Sequence, residues 1–167
     1  MSQTATQTSQ QAQTVLDDEQ VVVFDVANEF YAVNIARVHE IIRLQQITVI
    51  PGAPEFVEGV INLRGKVIPV LDLRKRFHLN VSEHTRSSRI VVVELSNQTI
   101  GLIVDGVSEV LRIPADQVDP PSPLVAGIDS RYLRGIAKLE NRLIVLLDID
   151  KVLSILEQQQ IEASAIN

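Results

Sequence analysis

The chain has 167 residues, of which 46% are hydrophobic and only 4% aromatic, so its core must be built mainly from Val, Ile and Leu. Its net charge of −6 argues against a nucleic-acid binder and against charge-driven docking on an anionic membrane. The absence of cysteine excludes disulfides, thiolate metal sites and thiol nucleophiles. No stretch approaches the ~18 to 20 apolar residues of a membrane-spanning helix, so we expect a cytoplasmic protein without direct membrane insertion.

Residues 1–16 are predicted to form a disordered tail, because Gln, Ser, Thr and Ala dominate them and no signal-peptide core is present. From residue 17 the chain is typical of short Val- and Ile-rich strands separated by turns. The first two strands are predicted at 21–26 and 30–35. A short helical turn is considered at 37–42, and Pro followed by an acidic residue predicts a short helix over 53–58.

The pattern of short strands and turns in the first half of the chain recurs in the second half. Residues 89–113 align without gaps with residues 20–44, and residues 135–153 align with residues 59–77. The two alignments differ in offset by seven residues, which fit best around Pro120-Pro121-Ser122-Pro123. Chance similarity between two Val-rich stretches is the alternative, but the turn, Gly and Asp positions agree in both copies. The pattern therefore indicates an internal duplication.

The duplication predicts a mainly β fold made of two small five-stranded barrels that share an apolar interface. The ordered domain is expected over 17–157, with subdomain 1 at about 17–85 and subdomain 2 at about 86–150. An apolar stripe with spacings of three and four predicts a C-terminal helix over about 148–160. Residues 161–167 are expected to be a flexible tail.

The segment from Gly59 to Lys66 superficially resembles a phosphate-binding loop. Five residues separate Gly59 from Gly65 where that motif has four, and a strand follows where a helix is needed. The segment instead predicts a hairpin turn at Arg64-Gly65-Lys66, with Gly59 and Gly65 as structural turn residues. Asp72 and Asp148 are interpreted as helix caps rather than catalytic acids.

The sequence offers no other clear candidates for catalytic or metal-binding residues. The three histidines, His39, His78 and His84, have no metal-binding spacing, and no nucleophile motif is present. We therefore predict no catalytic residue, no metal site and no cofactor. The competing hypothesis is a ligand-binding or enzymatic barrel, which would need polar groups converging in a pocket between the two halves.

Surface residues that differ between the copies are candidates for partner selection. Arg64 and Asn62 lie at the predicted hairpin, and residues 119–124 form a Pro-rich insertion. Arg64 is either a solvated charge or an anchor for an acidic partner residue, and the sequence leaves both open. Glu40 and Glu109 are repeat partners, which suggests a shared local role in both copies.

Three segments resemble signatures of the CheW family of chemotaxis coupling proteins. They are residues 31–41, residues 54–65 together with 68–73, and residues 101–110. The resemblance runs from about residue 20 to residue 156 with the motifs in family order. It implies two five-stranded SH3-like barrels and a non-catalytic adaptor.

The adaptor implied by this resemblance couples the histidine kinase CheA, through its CheW-like regulatory domain, to the cytoplasmic tips of chemoreceptors in signalling arrays. Related non-flagellar or pilus-motility pathways use similar couplers and remain alternatives. The resemblance implies a kinase-binding set consisting of Ile35, Val38, Glu40 and Leu124. It implies a receptor-binding set consisting of Asn62, Arg64, Gly101, Val107 and Val110.

Overall fold

The protein is described by a computed structural model over residues 18–95, 98–121 and 130–152. Within these residues the chain is mainly β, as predicted. The strands are, in chain order, β1 (Glu19–Val26), β2 (Glu29–Asn34), β3 (Val38–Arg43), β4 (Val57–Leu63), β5 (Lys66–Asp72), β6 (Arg89–Glu94), β7 (Thr99–Val104), β8 (Gly106–Ile113), β9 (Val118–Asp119), β10 (Leu133–Leu139) and β11 (Arg142–Leu147). The short helices are α1 (Leu73–Arg76), α2 (Ile149–Val152) and 3₁₀ turns at Ile35–Arg37, Ala115–Gln117 and Ser130–Tyr132.

Two predicted hairpins are confirmed, and their turn residues explain them. Ala27 and Asn28, between β1 and β2, have φ values of +51° and +69°. Arg64 and Gly65, between β4 and β5, have φ values of +52° and +86°. Positive φ at both central residues defines the tight turn whose twist matches that of the flanking strands. The turn at residues 64–65 therefore holds a non-glycine residue, Arg64, in a left-handed conformation.

The strands form a six-stranded sheet, in the order β8-β1-β2-β11-β10-β9, and a five-stranded sheet, in the order β3-β6-β7-β5-β4. Each sheet combines the first hairpin of one sequence copy with the later strands of the other copy. Parallel pairs make the junctions, with Ala32 opposite Leu146 and Leu71 opposite Leu102. The boundary near residue 85 therefore separates the two copies of the sequence but not the two sheets.

The five-stranded sheet curls toward its own edges. Thr48, which follows β3, exchanges two main-chain hydrogen bonds with Val60 of β4, each 2.9 Å long. Because β3 and β4 lie at opposite ends of the strand order, this bridge draws the two edges together. The paired strands thus bear out two β subdomains, while full closure into barrels stays a prediction.

The two sheets share a core, as the duplication predicts. A single cluster of buried side chains contains residues of both sheets, including Phe24 of β1 and Leu71 of β5. Within it the rings of Phe24, Tyr31, Phe77 and Tyr132 follow one another, with centroid separations of 6.4, 5.6 and 5.9 Å. Each sheet also has an apolar cluster of its own.

The two short helices considered before residue 60 are absent from these segments. Residues 38–43 form β3, in which half-buried and exposed side chains alternate with the period of a strand. Residues 53–56 lead through a turn into β4, which begins at Val57, and the Phe56 carbonyl accepts a hydrogen bond from the Asp72 amide at 2.9 Å. Both predictions were wrong because strand pairing overrode the local signals for a helix.

Gly59 lies inside β4, not in a turn as predicted. It follows a register shift in the pairing with β5, and its φ of +149° is a value that L side chains rarely adopt. A Cβ on this residue would overlap the Thr48 carbonyl and lie 2.9 Å from Ile47 Cγ2. Glycine is required here because another strand segment passes directly over it.

The predicted cap at Asp72 is confirmed, since its Oδ1 accepts a hydrogen bond from the Arg74 amide at 2.9 Å at the start of α1. Asp148 begins α2 through its main-chain carbonyl, which accepts hydrogen bonds from the amides of Lys151 and Val152. A side-chain cap at Asp148 stays a prediction. The rest of the predicted C-terminal helix and both predicted tails lie outside the described residues.

We expect the variant Asp72→Asn to be at least as stable as the wild type at pH 7. Burial raises the pKa of the Asp72 carboxyl above its ordinary value of 3.8. Ionisation therefore opposes folding, and the contribution of Asp72 to the free energy of unfolding falls as pH rises through the window above 3.8. Asparagine keeps a capping oxygen without this charge, whereas Asp72→Ala should cost about 1–2 kcal/mol.

Urea unfolding of the three proteins between pH 4 and pH 7 measures this difference. The advantage of Asp72→Asn should shrink toward the acid end, where the wild-type carboxyl becomes protonated. Parallel pH profiles for the wild type and Asp72→Asn would show that Asp72 does not titrate as inferred.

Candidate partner-binding surface

An ion pair joins the hairpin tip between β4 and β5 to β3. Arg64 Nη2 lies 2.7 Å from Glu40 Oε2, and the Arg64 side chain is 70% exposed while that of Glu40 is 21% exposed. The hydrogen bond to Glu40 raises the pKa of the Arg64 guanidinium. The two residues that the resemblance assigns to different partners are therefore direct neighbours.

Asn62 holds the hairpin that presents Arg64. Its Oδ1 accepts a hydrogen bond from the Gly65 amide at 2.7 Å, which closes the turn from within. Its side chain faces solvent beside Arg64. Asn62 thus positions the Arg64 main chain in addition to offering its own amide group to a partner.

The second copy contains an equivalent ion pair. Glu109 of β8, the repeat partner of Glu40, pairs with Arg142 at the start of β11. The Arg142 guanidinium also lies over the Phe30 ring, 5.3 Å from its centroid, and its side chain is only 33% exposed. Each repeated glutamate therefore binds an arginine of the second hairpin in its own copy, which confirms the shared local role. Arg64 is the far more accessible arginine of the two.

The apolar residues of the predicted kinase-binding and receptor-binding sets differ in how far their side chains are exposed. Ile35, in the 3₁₀ turn before β3, and Val110 of β8 are among the exposed large apolar side chains. Val38 and Val107, which occupy repeat-equivalent positions, are half buried and pack against the shared core. Ile35 and Val110 are therefore free to make contacts, whereas the two half-buried valines also support the surface from below.

Gly101 does not reach the surface. It is buried in β7, and a Cβ there would lie 2.7 Å from Ile90 Cγ2 and 3.5 Å from Val70 Cγ2. Side chains of β6 and β5 pack closely around this position, so only glycine fits there. Any effect of Gly101 on receptor binding would therefore be indirect. Leu124 lies outside the described residues, as do residues 122 and 123 of the Pro-rich insertion.

A groove of about 320 Å³ runs between the 3₁₀ turn at residues 35–37 and α2, where the competing hypothesis would place a ligand. Its arginines are already engaged. Arg37 pairs with Asp150 and donates to the Glu94 carbonyl at 3.1 Å, and Arg134 Nη1 donates to Glu19 Oε1 at 2.8 Å. The Arg134–Glu19 pair joins β10 to β1 within the six-stranded sheet, and the Arg37–Asp150 pair joins the 3₁₀ turn to α2, so these charges do not converge on an open space.

Sequence reasoning missed one buried arginine, Arg76, and one half-buried arginine, Arg74, on α1. Arg74 binds Asp105 through Nε and Nη2, at 2.9 and 2.6 Å, and Asp105 also accepts the Ala27 amide at 2.7 Å. Arg76, whose residue is 4% exposed, lies between the rings of Phe56 and Tyr132. The run Leu-Arg-Lys-Arg is typical of a solvated helix end. The local sequence therefore does not distinguish Arg74 and Arg76 from arginines and lysines that are fully exposed.

Within residues 18–95, 98–121 and 130–152, no three His, Asp or Glu side chains are grouped so that they could hold a metal ion. In the same ranges, no helix is long and apolar enough to cross a membrane. The accessible features of the described residues include exposed apolar side chains and the hairpin arginine, Arg64. Such features are typical of a protein-binding module.

The comparisons with known proteins identify the module. The model of the CheW-like domain family matches residues 20–157, so the chain belongs to the CheW family. It is 35% identical over 136 residues to chemotaxis protein CheW of Klebsiella aerogenes, covering 81% of this chain and 82% of that relative. It is also 35% identical over 138 residues to chemotaxis protein CheW of Thermotoga maritima, covering 83% of this chain and 89% of that relative.

A solved structure gives the same result for the fold. The scaffolding protein TtCheW from Thermoanaerobacter tengcongensis superposes with a TM-score of 0.76 at 43% sequence identity, covering 82% of this chain and 88% of that one. Because the CheW family consists of non-catalytic adaptors, the chain is a chemotaxis coupling or scaffold adaptor and not an enzyme.

Proposed function

We propose that the chain couples the histidine kinase CheA to the cytoplasmic tips of chemoreceptors. In this proposal it binds the CheW-like regulatory domain of the kinase with one surface and a receptor helix bundle with another. It acts in the cytoplasm and is recruited to receptor arrays at the membrane. We assign this role to the CheW-like domain, which the family model matches over residues 20–157.

The observation that carries the proposal is the Arg64–Glu40 ion pair. Glu40 belongs to the predicted kinase set and Arg64 to the predicted receptor set, and their side-chain atoms are 2.7 Å apart. A coupling protein needs a short and stiff structural connection between the two surfaces that bind its partners. An ion pair between an edge strand and a tight hairpin on one sheet is such a path.

The kinase surface is proposed on β3 and the turn that precedes it. Among the described strands β3 pairs only with β6, so its outer edge keeps main-chain groups with which another protein could pair. Ile35 supplies an exposed apolar side chain beside it, Val38 is half buried, and Glu40 supplies charge. Leu124 is proposed as a second kinase contact on the strength of the family resemblance alone.

The receptor surface is proposed around the hairpin of Arg64 and along β8. Arg64 and Asn62 supply polar groups at the hairpin, and Val110 supplies exposed apolar area on β8, with Val107 below the surface. Gly101 supports this region through packing in β7. An arginine surrounded by apolar contacts is a common centre of a protein interface.

We expect Arg64→Gln to weaken binding of a chemoreceptor cytoplasmic fragment about tenfold, since exposed arginines often dominate interface affinity. Thermal stability should change little, because the guanidinium is mostly in solvent. Glutamine is preferable to glutamate here, since Arg64→Glu would place a second carboxylate against that of Glu40. Isothermal titration calorimetry of the fragment and a thermal melt measure the two effects.

Lys138→Gln is the matched control, because it removes an exposed ion pair, that of Lys138 with Asp119, away from the proposed receptor surface and leaves Arg64 in place. Its receptor affinity should equal that of the wild type. If Arg64→Gln lost Tm in parallel with affinity, Arg64 would be structural. If the wild-type chain failed to bind both the kinase regulatory domain and the receptor fragment, the proposed coupling would be refuted.

A further inference from the structure

Three arginines surround a surface pocket at the end of β3. Arg43, Arg86 and Arg89 line a pocket of about 370 Å³ together with Leu44 and Ser88. Arg43 and Arg89 stand directly opposite each other in the pairing of β3 with β6. Like charges in directly opposed positions destabilise a sheet, so this arrangement needs an explanation other than folding.

Five other arginines of the described residues are neutralised by a carboxylate. The arginines that bind a carboxylate within the described residues are Arg37, Arg64, Arg74, Arg134 and Arg142. In the same part of the chain, none of Arg43, Arg86 and Arg89 forms an ion pair with a carboxylate. The pocket is therefore a concentration of uncompensated positive charge on a protein whose net charge is −6.

The wall of the pocket is held in place by its own hydrogen bonds. Ser88 is buried, and its hydroxyl accepts a hydrogen bond from the Thr85 amide at 2.9 Å. Arg89 Nη1 donates to the carbonyls of Arg86 and Ser88, at 2.7 and 2.8 Å. These bonds fix the 85–88 turn and one guanidinium, so an anion would meet donors that are already positioned.

The second copy of the sequence shows that the fold does not require two opposed arginines at this site. The repeat partners of Arg43 and Arg89 are Arg112 and Gln20, which stand opposite each other in the pairing of β8 with β1. The same site in the duplicated architecture thus carries one arginine and a neutral residue. The doubled charge is specific to one copy, as expected of a site that selects a partner.

We propose that this pocket binds an acidic, extended segment of a partner protein through at least two carboxylates. The outer edge of β3 is unpaired by any other described strand, so an extended segment can lie along it while its carboxylates reach the arginines. Three arginines on an acidic chain are too few for the continuous basic surface that nucleic acid requires. This edge is also the proposed kinase surface, so the inference rests on and extends the proposed function. The titration below uses neither kinase nor receptor, so its failure would leave the proposed coupling in place.

Fluorescence anisotropy of a fluorescein-labelled hexaglutamate peptide, titrated with the full chain, tests this inference. We expect saturable binding that weakens when the salt concentration is raised from about 50 mM to about 300 mM. Arg43→Gln and Arg86→Gln should each weaken it about three- to tenfold. Arg43→Gln should also keep or raise the Tm, since it relieves the like-charge contact with Arg89.

Arg112→Gln is the matched control, because it neutralises the repeat-equivalent arginine and should leave peptide affinity unchanged. A labelled hexalysine peptide should not bind the pocket. Equal losses in Arg43→Gln and Arg112→Gln, or no binding of hexaglutamate, would overturn the proposal. Displacement of the peptide by an equal concentration of inorganic phosphate would also overturn it, because the pocket would then be a phosphate site.

Discussion

Replacing Gly59 with alanine is expected to lower the free energy of unfolding by about 3–5 kcal/mol, through a steric clash combined with a disfavoured φ. The new Cβ would lie 2.8 Å from the Thr48 carbonyl carbon and 2.9 Å from Ile47 Cγ2. Relief requires the Thr48 main chain to move, which breaks its two hydrogen bonds to Val60. The five-stranded sheet would then lose the bridge that draws its edges together.

Gly52→Ala is the control for this experiment. Gly52 also has a positive φ, of +83°, but a Cβ there would meet nothing within 4 Å. It should cost only the backbone strain of about 1–2 kcal/mol. Urea unfolding of both variants separates the two contributions, and equal losses would mean that the clash at Gly59 is not the cause.

A second large loss, about 2–4 kcal/mol, is expected for Arg76→Met, which removes a buried charged hydrogen bond and two cation–π contacts. The Arg76 guanidinium carbon lies 5.0 Å from the Phe56 ring centroid and 4.5 Å from that of Tyr132. Its Nε donates to the Val152 carbonyl of α2 at 2.8 Å. Methionine retains most of the aliphatic volume, so the loss reports on the guanidinium itself.

Lys75→Met, one residue earlier on α1, is the comparison. The Lys75 side chain is half buried and pairs with Glu58, and its loss should cost about 1 kcal/mol, clearly less than that of Arg76. Chemical denaturation monitored by the fluorescence of the two tyrosines measures both variants. Similar values for Arg76→Met and Lys75→Met would show that Arg76 does not hold the two helices together.

The parts of the fold that depend on neighbouring residues were predictable from the sequence. The hairpins at residues 27–28 and 64–65 and the cap at Asp72 follow from turn and cap chemistry within a few residues. The exchange of hairpins between the copies was not predictable in this way. A duplicated sequence is equally consistent with two separate barrels and with interleaved ones, because pairing of β2 with β11 involves distant parts of the chain.

The candidate site, too, could be predicted only where it depends on local sequence or on the repeat. The repeat alignment predicted a shared role for Glu40 and Glu109, and the structure supplies it as ion pairs to hairpin arginines. The identity of those arginines depends on how the five-stranded sheet curls and on where the last hairpin lies. The charge of the pocket at Arg43 and Arg89 also emerges only from register, since 45 residues of sequence separate β3 from β6.

The interleaved sheets have a consequence for synthesis on the ribosome. The β1–β2 hairpin emerges first, yet its neighbours β8 and β11 are made much later, and β11 ends only at Leu147. The N-terminal half therefore cannot finish either sheet by itself, although N-terminal segments usually fold early: the five-stranded sheet needs β7, which ends at Val104, and the six-stranded sheet needs β11. A product terminated before β11 would leave the β1–β2 hairpin without its parallel neighbour and expose apolar strand edges to chaperones and proteases.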